Sequence, residues 1–231
     1  MSVQQDVNEK MRAILVDWLV EVHSKFKLLP ETIFLTINLI DWYLMTEKVS
    51  RDKLQLVGVA SMLIATKYEE IYAPEVKDFV YISDNAYTSE QILSMEYNIL
   101  KCLNFDVTTP SSLWFVDFLC KYSHSDSYIR YLSTYIVELS LVEYKLLKYQ
   151  PSLLASSAIY LSNKILKKSK LDGQSHWGGT TLEDTHITMN QMYGHVLKTC
   201  AFYFKAPRSV HYKLCRQNML LRSINEYLRY V

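Results

Sequence analysis

Thirteen consecutive residues, Leu54 to Thr66, carry no charge, and apolar side chains fall on every face of the helix they would form. A helix without a polar face is surrounded by other helices. Gly58, Ala60, Ser61 and Ala65 are small enough to let those neighbours approach. The flanking segments supply them. Met11, Ile14, Leu15, Trp18, Leu19, Val22 and Phe26 keep the spacing of one helical face, and Asp6 with Glu9 is expected to cap that helix. A second helix begins near Pro30 and carries Ile33, Ile37, Ile40 and Leu44. The charge-free helix, predicted over Ser50 to Tyr68, is the third. A short fourth follows Pro74, and Thr88-x-x-Gln91 opens a fifth that runs to about Leu103.

Asn104 to Pro110 breaks the pattern, which then restarts. One helix follows Pro110 (Leu113, Trp114, Val116, Phe118, Leu119), another covers roughly Ser127 to Val142, and a third, again low in charge, follows Pro151. A glycine-bearing loop, Asp172 to Gly179, precedes a helix near Thr188 (Met189, Met192, Val196, Leu197, Cys200). Helix starts at Ser50 and Thr88 thus recur near Pro151 and Thr188, an offset of about 100 residues. That period is too long for helical solenoids of roughly 34 to 47 residues, and duplication of a five-helix unit explains it. No strand-like alternation is found. The reading is all-α: two tandem five-helix units, 1–105 and 106–231, joined by a short linker.

Bulk properties narrow the function. The 231 residues hold 25 Lys+Arg against 24 Asp+Glu, a net charge of +1, which argues against nucleic-acid binding by bulk electrostatics. With 49% hydrophobic residues and only five Gly and five Pro, the chain is neither disordered nor collagen-like. The longest uncharged run, Tyr149 to Asn163, has 15 residues and contains Pro151, too short for a membrane span. Cys102, Cys120, Cys200 and Cys215 lie far apart with no CxxC, which suits reduced thiols.

The string from Met11 to His23, MRAILVDWLVEVH, resembles the opening of a cyclin box. Leu54 to Gly58, Lys67 to Val76 (KYEEIYAPEV), Phe79 to Asp84 and Met95-Glu96 resemble further cyclin segments, in order, across residues 11 to 107. The second half is similar more loosely, through Glu138 to Tyr144 and the Pro151 helix. The combination is most similar to B-type mitotic cyclins. The resemblance implies two cyclin folds and a non-catalytic, cofactor-free subunit. Such a subunit binds a cyclin-dependent protein kinase as a heterodimer and holds the kinase's mobile helix inward, so that its catalytic groups assemble. It also implies control of G2/M progression and a place in nucleus and cytoplasm. Only ten residues precede Met11, so the family's leading helix is expected to be nearly absent from these residues and its degradation-signal tail missing from them, whether by trimming or because the gene product is unusual.

Residue by residue, the resemblance places kinase binding on Lys67 and Glu96, with Tyr68, Glu69, Glu70, Ile71, Leu100 and Phe105 beside them. Lys67 also stands out physically, because a charge ending so long an uncharged stretch needs a partner or water. A docking groove for substrates or inhibitors with an Arg-x-Leu motif maps to Met11, Ile14, Leu15, Trp18, Leu54 and Gln55, with Glu21 placed to meet the peptide's cation. A helical Met-Ile-Leu-Trp stripe is more often core. The stripe is wide enough for both, with Leu19, Val22 and Phe26 inward and Met11 and Trp18 at the rim. Arg12 and Asp41 correspond to a structural pair joining the first two helices. Trp42 replaces a basic residue common in the family and is expected to pack.

Other chemistries are not supported. The six histidines form no metal-ligand spacing and read as scattered surface or loop residues. No G-x-S-x-G is present. Lys164, Lys167, Lys168 and Lys170 read as a solvated helix end, with nuclear import or a phosphate-reading role as the minor alternative. A nucleic-acid-binding factor on the same duplicated fold would need a basic face and often a zinc ribbon, which the charge and the missing CxxC pairs oppose. A cyclin fold without a kinase is opposed by the Lys67 and Glu96 positions.

Overall fold

The computed structural model describes residues 3–166 together with Thr188 and Gln191. The chain divides into two compact units, Met1–Thr109 and Pro110–Val231. Among the described residues every regular element is helical. The first unit holds α1 (Glu9–Phe26), α2 (Pro30–Thr46), α3 (Leu54–Glu69), α4 (Val76–Ile82) and α5 (Ser89–Cys102). The second holds α6 (Ser112–Tyr122), α7 (Ser127–Ser140) and α8 (Pro151–Ile165). The Asp172–Gly179 loop, the helix residues expected after Thr188, and Lys167, Lys168 and Lys170 lie outside the described residues, apart from Thr188 and Gln191, which are helical.

α3 is the axle of the first unit. It packs against α1, α2, α4 and α5, and Leu54 and Leu56 through Thr66 are all buried. The approach of α1 is close at Gly58: a Cβ there would lie 2.8 Å from the Leu15 Cδ1 atom. Arg51–Lys53 forms a 3-10 turn ahead of α3, so the α-helix proper starts four residues later than expected from Ser50. Phe79 of α4 is 1% exposed and meets Phe26 edge-on at 5.4 Å.

Helix ends follow local chemistry. Pro30 and Pro151 sit at the first positions of α2 and α8, where the missing N–H costs nothing. Thr88 and Gln91 form the reciprocal capping box expected of them. The start of α1 differs from expectation. Asn8, not Asp6, is its cap, with the Asn8 side chain accepting from the Met11 N–H at 3.0 Å. Glu9 lies in the first turn, where its charge favours the positive end of the helix.

The segment ahead of α1 is fastened by one side chain. Gln4 Nε2 donates to the carbonyls of Leu44 and Glu47, both at 2.6 Å, and Gln4 Oε1 accepts from the Val49 N–H at 3.0 Å. Val7 is buried beside it in sequence. In the second unit α6, α7 and α8 pack on one another. Ser133 of α7 donates to Ser162 of α8 at 2.9 Å, deep in the core. Arg130 grips Asp117 through both carboxylate oxygens, at 2.7 and 2.8 Å. Cys120 is buried, and that burial, with Asp117 adding to it, pushes its thiol up to about 11.

Candidate functional site

Lys67 is the last basic residue of α3, and Glu96 is midway along α5. α3 and α5 pack side by side, and Lys67 Nζ donates to both Glu96 oxygens, at 2.7 and 2.9 Å. The charge that ends the uncharged stretch therefore has its partner within the chain. The Lys67 side chain is 48% exposed and that of Glu96 13%. Lys67 reaches water while Glu96 is largely covered, so the pair is only partly screened and contributes on the order of 1 kcal/mol to stability.

The surroundings are unusually apolar for a surface. Tyr68 is 50% exposed, Ile71 89% and Phe105 64%, and Leu100 is half-buried. The backbone holds Phe105 out. Asn104 and Phe105 both take left-handed φ, 49° and 60°, which is uncommon for a bulky side chain. Their N–H groups bond the Lys101 and Leu100 carbonyls at 3.1 and 2.9 Å, closing the end of α5. Three further exposed side chains lie close by in the sequence. Tyr72 is almost fully exposed, and Leu93 and Tyr97 are exposed on α5. Leu93, Glu96, Tyr97 and Leu100 keep i, i+3, i+4, i+7 spacing, one helical face. The spacing was readable in the sequence, but a face bound for solvent and one bound for the core share that pattern.

The acidic pair after Tyr68 divides in role. Glu70 caps the neighbouring helix: its Oε1 accepts from the Leu29 N–H at 2.7 Å and from the Thr32 hydroxyl at 2.6 Å, at the start of α2. The Glu69 carboxyl is pushed above its usual range by burial, with Glu31 and Glu70 adding to the effect. Folded Glu69 thus holds its proton more tightly than unfolded Glu69. The fold is favoured below the ordinary value of 4.5 and loses that advantage as pH rises through the folded value. Glu69→Gln is expected to melt higher than the parent at pH 7 and equally at about pH 3.5. A parent as stable as the variant at pH 7 would overturn this assignment.

The stripe on α1 splits. Ile14 is 60% exposed, Met11, Trp18 and Gln55 are half-buried, and Glu21 is exposed. Leu15 and Leu54 are sealed, at 6% and 5%. Both are buried, Leu15 where α1 approaches α3 at Gly58. Leu19 and Val22 are buried and Phe26 is half-buried.

Arg12 is fully buried and clasps Asp41 of α2 with two bonds of 2.6 Å, from Nε to Oδ1 and from Nη2 to Oδ2. Trp42 is 47% exposed rather than packed: Asp41 beside it turns to Arg12, leaving Trp42 on the outer side of α2. His23 is also not a surface residue. It is 1% exposed, and its Nε2 lies 2.7 Å from the Leu29 carbonyl at the turn into α2. His176, His186, His195 and His211 lie outside the described residues. Among the described residues no group of His, Cys, Asp or Glu is placed to hold a metal ion, and no helix is long and apolar enough to cross a membrane.

Residues 1–108 match the family "Cyclin, N-terminal domain" and residues 110–221 match "Cyclin, C-terminal domain". The chain is 54% identical over 168 residues to Cyclin-B2-1 of Oryza sativa subsp. japonica, covering 73% of this chain and 40% of that protein. It is 44% identical over 192 residues to Cyclin-B2-1 of Arabidopsis thaliana (83% and 44%), and 48% identical over 196 residues to Cyclin-A1-2 of Oryza sativa subsp. japonica (83% and 40%). It therefore spans about two fifths of the length of these relatives. The fold is similar to a viral cyclin from herpesvirus saimiri, with TM-score 0.76 at 18% identity, covering 87% of this chain and 91% of that one. It is also similar to a chain of the yeast RNA Pol II CTD kinase CTDK-1 complex, with TM-score 0.68 at 12% identity, covering 86% and 66%. Two helical units joined after Thr109, the close-packed charge-free α3 and the two domain matches lead to one conclusion: this chain belongs to the cyclin family, with an N-terminal and a C-terminal cyclin domain and B-type cyclins among its similar relatives.

Proposed function

We propose that this chain is the non-catalytic activating subunit of a cyclin-dependent serine/threonine kinase, acting at the G2/M, mitotic stage in nucleus and cytoplasm. The observation that carries the reading is the Lys67–Glu96 pair, reached by water at Lys67, with Tyr68 and Ile71 following Lys67 and Leu100 and Phe105 following Glu96 in the chain, three of the four exposed. Apolar surface of this kind around a polar anchor suits a protein partner. Lys67 donates and Glu96 accepts, so together they satisfy both the carbonyls and the N–H groups of a backbone segment laid across them. Leu93, Tyr72 and Tyr97 widen the same surface, toward the ~1,600 Å² of a standard interface. The test is a kinase assay: a purified, otherwise inactive cyclin-dependent kinase with and without this chain. Stimulation that disappears with Lys67→Ala supports the reading and locates the interface. No stimulation from the folded chain across the cyclin-dependent kinases refutes it.

The exposed Ile14, with Met11, Trp18 and Glu21 on the same side of α1, favours a second role, recruitment of Arg-x-Leu substrates. Ile14, Met11 and Trp18 would take the leucine and Glu21 the arginine. Leu15 and Leu54 support this surface from within. Trp18→Ala is expected to lower phosphorylation of an Arg-x-Leu substrate about tenfold, the scale of one interface aromatic. A short peptide lacking the motif should be phosphorylated as before. Equal loss on both would make Trp18 a core residue.

A further inference from the structure

Of the five prolines, Pro110 alone follows a hydroxyl residue, Thr109; the others follow Leu29, Ala73, Gln150 and Ala206. We infer that Thr109 is a phosphoacceptor for a proline-directed protein kinase, and that its phosphorylation unfastens the linker from α2. The inference is independent of the proposed kinase activation.

The segment has the shape such an enzyme takes. Asp106 to Ser111 has no regular secondary structure, and Thr108, Thr109 and Pro110 are exposed. A residue ahead of proline is biased toward extended backbone, the form in which a substrate lies along a kinase channel. Proline has no N–H, so a channel that offers no acceptor at the next position accepts it without leaving a donor unpaired.

The segment is also held by the groups that modification would alter. Thr109 Oγ1 accepts a hydrogen bond from Asn38 Nδ2 on α2. One residue earlier, the Thr108 and Tyr68 hydroxyls lie 2.7 Å apart. In the reaction, Thr109 Oγ1 forms a bond to the γ-phosphorus of ATP. The bond from that phosphorus to the β-phosphate oxygen breaks, ADP leaves, and the hydroxyl proton passes to the kinase's carboxylate base. The product carries about −1.5 to −2 charges where a neutral hydroxyl stood. Asp106 lies three residues back in the same exposed linker, so the new charge meets a carboxylate of its own segment, whereas Asp41 on α2 is already held by Arg12.

The test uses the whole chain, folded, with ATP and a proline-directed mitogen-activated kinase, which needs no cyclin partner. Mass spectrometry is expected to find phosphate on Thr109. Incorporation should be absent from Thr109→Ala, at least tenfold lower in Pro110→Ala, and unchanged in Thr108→Ala. No incorporation at Thr109, or incorporation only after heat unfolding, overturns the inference. Limited thermolysin cleavage ahead of Val107 then reads the fastening. It should be roughly fivefold faster in the phosphorylated chain, the effect of losing one modest hydrogen bond. An equal or slower rate overturns the unfastening.

Discussion

Replacing Arg12 by alanine is expected to destabilise the chain by about 3 kcal/mol and to lower the melting temperature by several degrees. The guanidinium is completely buried, and both its bonds to Asp41 are direct and short. Removal has two effects. It leaves the Asp41 carboxylate without its fork of donors, and it empties the space of a long side chain between α1 and α2. Asp41 is 16% exposed, so water relieves part of the first penalty, which sets the estimate at the lower end of the 3–5 kcal/mol range for broken buried pairs. Arg12→Lys restores charge and most of the volume but not the planar two-point grip, and should fall between parent and alanine. Replacing both partners, Arg12→Met with Asp41→Leu, should recover most of the loss, because no unpaired charge remains. Chemical denaturation of the four proteins checks this. A loss below 1 kcal/mol in Arg12→Ala would mean that the clasp orders α1 and α2 without stabilising them.

Much of the architecture was written in local patterns. A stretch from Leu54 to Thr66 without charge can only be a surrounded helix, and α3 is one. Pro30, Pro151 and the Thr88–Gln91 box mark helix starts through bonds that span three or four residues, so sequence displays them directly. Long-range side-chain contacts to backbone leave no such trace. Nothing near Gln4 signals that its amide meets carbonyls 40 and 43 residues on, or that Glu70 caps a helix 41 residues back. His23 looked like a surface residue because its partner is the Leu29 carbonyl, and carbonyls have no sequence identity.

The candidate site was legible to a similar depth. Periodicity places Met11, Ile14, Leu15 and Trp18 on one side of α1, but it does not say which edge α3 covers. The structure seals Leu15 and leaves Ile14 open. On α5, Leu93 and Tyr97 share the face of Glu96, yet their exposure depends on where the neighbouring helices end. Phe105 projects because of two consecutive left-handed residues, a backbone feature that neither Asn104 nor Phe105 demands by itself.

Lys67→Ala and Glu96→Ala are each expected to weaken kinase binding by about 2–4 kcal/mol, a thirtyfold to thousandfold rise in Kd, with a smaller change in the chain's own stability, on the order of 1 kcal/mol. The contrast follows from exposure. In the free chain Lys67 is half-exposed, so water reaches the pair from the lysine side although the Glu96 side chain is largely covered. Under a partner the same groups would be desolvated, and each would lose a charge-assisted bond that water no longer replaces. A double-mutant cycle separates the contributions. If the pair acts only to position itself, the double variant binds no worse than either single one. If each residue bonds a different group of the kinase, the losses add, less the small term for the Lys67–Glu96 bond itself. Tyr97→Ala should add a smaller loss, because it removes apolar area without leaving a charge unpaired. Isothermal titration against a purified cyclin-dependent kinase measures all of these, and denaturation of the same variants measures the other side of the contrast. Equal binding by parent and both single variants would remove Lys67 and Glu96 from the interface and return them to the role of an ordinary surface pair.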